Sequence, residues 1–328
     1  EQSRLLAQAI QDERAASIEL LGPLRQEALA TTDIEAVREA TDTALNRYRR
    51  AAREVDMESL DATTREAFAA LDAQLGVLSS ARSFVNAGQV AMLTVDRSYS
   101  SIAEIVSGFS GQVAATLGDR RLAAILDTSS YVTRLIEAYE HEQALGSQIL
   151  AAMHAGVEND ADLQAMAQII EDHNEFRLDV SAAVSALALQ LDEDFQVTEV
   201  VLSTNTAVDR FPALRTNFRT ITEVQLLNTS PEEWQEAAQN QIDELTETAA
   251  AINQQADNRA NAVANAALRQ AALSISVTAL AVILSVVIAL SIARAIVRPV
   301  RRLTEAATTV RDELPNLVEQ VAIPGQGP

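Results

Sequence analysis

The chain has 328 residues, with no Cys, 10 Gly and 7 Pro, and it is 48% hydrophobic but only 4% aromatic. So few Gly and Pro beside so much Ala, Leu, Gln and Glu argue against a strand-rich sandwich or a Gly-looped nucleotide fold and make the class all-α; without cysteine there is no disulfide framework, thiolate metal site or cysteine nucleophile. All 25 basic residues are Arg, against 46 acids for a net charge of −21, and so acidic a surface repels phosphate backbones, which argues against a nucleic-acid partner.

The first predicted helix carries an anomaly. Its apolar stripe reads Leu6, Ile10, Arg14, Ile18 and Leu21, so a guanidinium stands where the spacing calls for a core side chain. Three readings are open: a buried salt bridge to a carboxylate of a neighbouring helix, an exposed Arg that snorkels, or a small anion held in the bundle. After a break at Gly22-Pro23, Thr32-Asp33-Ile34-Glu35 fits a capping box and predicts a helix carrying Arg38 and Asp42. Asp42 is expected either to balance a cationic cluster or to form an ordinary intrahelical pair with Arg38.

Past a break at Asp56–Asp61, Thr63-Thr64-Arg65-Glu66 predicts the next helix start. Leu75, Leu78, Arg82 and Val85 then put a second Arg on an apolar seam. Two inward guanidinium forks can hold a planar oxyanion in a partly dry site. Further breaks fall at Ala87-Gly88, Gly118-Asp119, Gly156–Asp160, Asp192–Phe195 and Asn228–Ser230, giving seven or eight helices; one of them carries the run Leu122, Ile125, Val132 and Ile136. Arg210, Arg215 and Arg219 cluster around Phe211-Pro212 as further candidates for closing a site, although Arg-rich turns are usually solvated. Ser230-Pro231-Glu232-Glu233 marks the last helix start, with proline where no N–H is needed. Trp234 on its first turn reads as packing.

His141, His154 and His173 have no metal-ligand spacing, so no metal or cofactor is expected. There is no phosphate loop, HExxH, GxSxG or triad, so this chain is not expected to be an enzyme.

Helices joined by short connections pack as antiparallel bundles, and two four-helix bundles suit the count. From Ala271 to Ala293 there are 23 consecutive residues without a charge, about 34 Å of helix against a hydrocarbon core of about 30 Å. Arg294, Arg298, Arg301 and Arg302 follow at once, so the positive-inside rule puts the C-terminal side in the cytoplasm and 1–270 outside the cell membrane. Before residue 271, 20 Arg face 42 acids for −22; from 294 onward 5 Arg face 4 acids for +1, so the acidity belongs to the outer domain. The division expected is 1–270 outer domain, 271–293 transmembrane helix and 294–328 linker. The last helix shows no breaker from Pro231 to Pro299, about 100 Å of rod that can transmit a piston, tilt or rotation. The start at Glu1, without Met, suggests that a preceding anchor or signal has been removed.

Gln11-Asp12-Glu13-Arg14, followed by Arg38-Glu39-Ala40-Thr41-Asp42-Thr43-Ala44, resembles the NIT domain, the nitrate- and nitrite-sensing module. The version it resembles most is that of membrane sensor histidine kinases of G+C-rich Gram-positive bacteria, including the conservon-type kinases. Tyr99 to Ile102, Trp234, and Arg298-Pro299-Val300-Arg301-Arg302-Leu303 extend the resemblance over most of 1–321. The resemblance implies two four-helix bundles in which Arg residues bind nitrate or nitrite, the first-helix Arg mapping onto Arg14 and a later one onto Arg210, Arg215 or Arg219. Glu142-Gln143-Ala144-Leu145-Gly146 departs from the family, which usually has a Ser and an Arg there. The segment after the membrane resembles the first helix of a HAMP linker, and the chain stops before any kinase core.

The expected function is therefore that of an oxyanion-gated input module, with nitrate or nitrite, the lipid bilayer and a second copy of the chain as partners. The alternatives are a ligand-free dimerisation or protein-interaction module, and a chemoreceptor-type sensor of a small organic acid.

Overall fold

The structure is a computed structural model that describes residues 2–22, 25–156, 161–188, 211, 214, 215 and 229–321. Among them every regular element is a helix: α1 (Gln2–Leu21), α2 (Arg25–Thr31), α3 (Ile34–Glu54), α4 (Ala62–Leu75), α5 (Leu78–Ala87), α6 (Met92–Ala114), α7 (Arg120–His154), α8 (Ala161–Ala188) and α9 (Pro231–Val321). The all-α class stands. The chain forms two compact units, Glu1–Asn261 and Ala262–Pro328.

Local chemistry explains the helix boundaries, and it corrects two of the expected caps. Asp33, not Thr32, caps α3 by accepting from Ala36 N at 3.1 Å, and Asp61, not Thr63, caps α4 by accepting from Thr64 N at 3.0 Å. A carboxylate one residue after Thr32, or two before Thr63, satisfies the same orphan amides and adds a favourable charge at the positive helix end. Ser230 caps α9 as expected, its Oγ accepting from Glu233 N at 3.0 Å. The single helix expected through Leu75 and Val85 is two, because the chain tightens at Gly76-Val77, where i→i−3 bonds (Gly76 N to Ala73 O, 3.1 Å) replace the α pattern. α5 ends at Gly88 with φ of 61°, a left-handed position suited to glycine, and Arg25 donates to its carbonyl at 3.1 Å.

Two hydrophobic cores organise the first unit. One gathers Leu6, Ile10, Leu71, Leu78, Val95 and Ile102 from α1 and α4–α6, with Leu45 and Tyr48 from α3. The other gathers α7, α8, Phe211 and the first part of α9, through Val132, Leu145, Ile170, Val184, Trp234 and Leu245. α1 and α6 both pack on α7, so the two bundles share a face within this unit. Trp234 is fully buried, donates Nε1–H to Gln143 O at 3.0 Å and lies against Gly146, where a Cβ would come within 2.4 Å of the indole.

The second unit contains the last part of α9. The helix continues through Pro299 and Pro315 to Val321, beyond the expected end of the rod: proline forfeits one backbone bond, but its φ remains helical. From 264 to 308 its side chains are exposed, Leu280 at 66% among them, and the helix is long and apolar enough to cross a membrane.

Candidate functional site

Three buried polar clusters lie along the first unit. In the first, α1 turns Glu13 wholly inward on the stripe Leu6, Ile10, Glu13, Ser17, Leu20. Arg82 of α5 grips that carboxylate with both arms of its fork, Nε to Oε1 at 2.7 Å and Nη2 to Oε2 at 2.8 Å, and Tyr99 of α6 donates to Oε1 at 2.8 Å. Burial works to raise the pKa of Glu13, but the bonds from Arg82, Thr41 and Tyr99 outweigh it and hold the group below its ordinary value. The third Arg82 nitrogen, Nη1, donates to Asp42 at 2.8 Å. Arg82, a candidate oxyanion ligand, is thus engaged by resident acids. Asp42 balances a cationic cluster, but its bonded partner is Arg82 rather than Arg38.

Arg38 is buried and pairs with Glu35 at 3.0 Å, while its Nε and Nη2 make no hydrogen bond. Beside it runs an open groove of about 810 Å³ lined by Asp33, Glu35, Glu39, Asp42, Arg38 and Arg82. Four carboxylates against two guanidiniums make that groove a poor seat for an anion.

The second cluster surrounds Arg14, which is 1% exposed, as its stripe predicts. Its Nη1 donates to Glu137 of α7 at 2.8 Å and to Ser100 of α6 at 3.0 Å, while the buried Nη2 has no hydrogen-bond partner. Of the three readings of Arg14, the salt bridge is present, and one edge of the fork remains over. Burial works to raise the pKa of Glu137, but Arg14, His141 and His173 hold it below its ordinary value. One turn on, burial dominates at Glu140 and pushes its pKa up to about 8, against 4.5 ordinarily. His141 is buried and its Nε2 stands 2.8 Å from Asp96 of α6; burial and the nearby Arg14 lower its pKa against the opposing pull of the Asp96 carboxylate.

His141 leads into the third cluster, its ring 5.2 Å from that of His173 on α8. There Glu142 of α7 is fully buried. Arg177 of α8 donates to its Oε1 at 2.5 Å, Arg215 Nε lies 2.8 Å from Oε2, and His173 is 3.6 Å from Oε1. Burial would raise the Glu142 pKa, yet Arg215, Arg177 and His173 bring it down to about 2. Tyr139 underlies both guanidiniums at 5.7 and 5.2 Å, and Phe211 flanks Arg215 at 5.0 Å. Of the three arginines expected around Phe211-Pro212, Arg215 is buried in this cluster, whereas Arg210 and Arg219 lie outside the described residues. No group of potential metal ligands occurs among the described residues.

Sequence reasoning singled out neither Glu13, Glu137, Glu142, His173 nor Arg177 as a site residue, although a signal existed for most. Ile170, His173, Arg177, Val180 and Val184 repeat the 3, 4 spacing that singled out Arg14, as do Leu135, Tyr139, Glu142 and Ile149 at 4, 3 and 7.

Comparison with known proteins gives two findings. A solved structure, that of the NasR transcription antiterminator, superposes with a TM-score of 0.63 at 17% identity, covering 80% of this chain and 67% of that one, a likeness of fold. No curated protein matches the chain. Residues 5–261, well over half of the sequence, match the family model described as nitrate and nitrite sensing, and the chain belongs to that family.

Proposed function

We propose that this chain is the input module of a membrane-bound sensor histidine kinase, and that its first unit takes up nitrate or nitrite at Arg14. The observation that carries the reading is the buried Nη2 of Arg14, a charged donor without a partner in an otherwise packed core. A buried N–H of this kind costs about 1–3 kcal/mol until something accepts from it, and a planar oxyanion is the natural acceptor for a guanidinium edge. Glu137 already holds the other side of Arg14, so the anion has to displace that carboxylate or bind beside it. Membership of the nitrate- and nitrite-sensing family supports the ligand class.

The consequence for signalling follows from where the groups sit. Arg14 ties α1 to α6 and α7, so exchanging Glu137 for a ligand alters the packing of α7, against which the start of α9 is seated through Trp234. α9 carries the uncharged stretch 271–293, which we assign as the membrane span, followed by the Arg-rich start of a HAMP-like linker. A ligand moves such an equilibrium only by its differential affinity, and tenfold preference supplies about 1.4 kcal/mol.

The Arg14–Glu137 ion pair favours a second reading, a ligand-free interaction module in which the pair is purely structural. Titration calorimetry of the detergent-solubilised chain with sodium nitrate and sodium nitrite, against sodium chloride, separates the two. The sensing reading expects saturable heat that Arg14→Ala abolishes and that Arg49→Ala, at a surface pair of α3 with Asp72 of α4, leaves intact; absence of heat and of any thermal shift at millimolar anion leaves the ligand-free module.

A further inference from the structure

We propose that the part of α9 just past its apolar run is a docking surface for anionic phospholipid headgroups, held by Arg294, Arg298, Arg301 and Arg302. The inference rests on the assignment of 271–293 as the membrane span; what it adds is the choice of lipid.

The four arginines are spaced 4, 3 and 1 along an unbroken helix. At about 100° per residue they share an arc of about 100° and form one basic stripe. Ile296, Val297, Val300 and Leu303, each more than half exposed, take the other side. Setting the orientation of a span requires no such sorting, because the positive-inside rule counts charges and is indifferent to the face that bears them. A surface that recognises headgroups does require it. No acid lies between Asp257 and Glu305, although the chain carries −21 overall. The stripe is thus a local reversal of sign, with Glu305 as the first acid, one turn beyond Arg301.

Distance and direction agree with this partner. At 1.5 Å per residue, Arg294 stands about 2 Å beyond Ala293 and Arg302 about 14 Å beyond it. The headgroup layer is about 5–7 Å deep on each side of the hydrocarbon, and the field of an anionic surface extends about 8 Å further at physiological salt. All four charges fall within that reach. Side chains on a helix lean towards its N-terminus, which here is the bilayer side, so the guanidiniums reach back to the phosphates rather than away from them.

An Arg fork donates two parallel hydrogen bonds to a phosphate diester. Phosphatidylcholine presents the same diester beside a quaternary ammonium that repels the stripe, whereas phosphatidylglycerol has no such cation, so lipids of net negative charge are preferred. Because only one face is basic, the grip fixes the rotation of α9 about its axis as well as its depth, two of the movements by which such a rod can signal.

The full chain is reconstituted in vesicles of about four parts phosphatidylcholine to one part phosphatidylglycerol, and the lipid retained through mild detergent extraction is quantified by mass spectrometry. Wild type should hold phosphatidylglycerol at least about threefold enriched over the vesicle ratio, and a wash in concentrated salt should weaken that enrichment. Arg294→Gln/Arg298→Gln/Arg301→Gln/Arg302→Gln should retain lipid at the vesicle ratio. The corresponding four-fold Arg→Lys variant should stay enriched, since its charges remain. Wild-type lipid at the vesicle ratio, enrichment that survives in the Gln variant, or enrichment lost in the Lys variant overturns the proposal while leaving the span in place. Wild-type chain that alkaline carbonate strips from the vesicles removes the span assignment and the docking surface together.

Discussion

At the scale of single residues, the interior of this protein is governed by how its buried charges are neutralised. Glu13 and Glu142 are ionised because guanidiniums surround them, whereas Glu140, one turn from Glu137, has its Oε1 buried without a hydrogen bond and holds its proton instead. A folded-state pKa of about 8 against 4.5 ordinarily means that the native state binds this proton more tightly than the unfolded chain does. The stabilisation is complete below about 4.5 and is lost as pH rises through about 8. Glu140→Gln, neutral at every pH, should therefore melt close to wild type at pH 4.5 and increasingly above it towards pH 9. A melting difference that stays constant across that range would contradict the assignment. Arg14 was legible at this scale because Leu6, Ile10, Ile18 and Leu21 frame it; Glu137, its partner, was not. The two lie 123 residues apart, and helical spacing reports which residues face inward without reporting what they meet.

At the scale of elements, the helix starts were readable to within one or two residues, since Thr32, Thr63 and Ser230 all sit at true helix ends. The caps fall at Asp33 and Asp61 rather than at Thr32 and Thr63 because several neighbouring side chains can satisfy the same free amides, and only geometry selects among them. Gly76-Val77 interrupts a helix without a left-handed residue, which leaves little trace in composition. The contact between α7 and α9 rests on Gly146, whose missing side chain admits the Trp234 ring. Gly146→Ala puts a methyl group inside that ring's envelope. Although alanine favours the helix intrinsically, we expect a net loss of about 1–3 kcal/mol from overpacking, measured by denaturant titration. A neutral or stabilising effect would mean that the indole has room to shift.

For the whole molecule, the proposed membrane span makes its own prediction. Replacing Leu284 and Val287 together by Arg should move the chain out of the carbonate-resistant membrane fraction, since each charge at a span centre costs about 2.5–3.5 kcal/mol on insertion. An unchanged membrane fraction would refute 271–293 as the anchor. All-α class, the apolar stretch and the place of Arg14 on an apolar stripe were determined by the sequence alone, because composition, an uncharged run and a 3.6-residue period are local properties that any helical packing must respect; that its guanidinium is buried rather than snorkelling was decided by the fold. Which carboxylate meets which guanidinium was decided only by tertiary structure: Arg82 with Glu13, Arg14 with Glu137, and Arg177 and Arg215 with Glu142. Those pairings join helices remote along the chain, and their energies depend on burial and distance, which exist only once the bundles have closed.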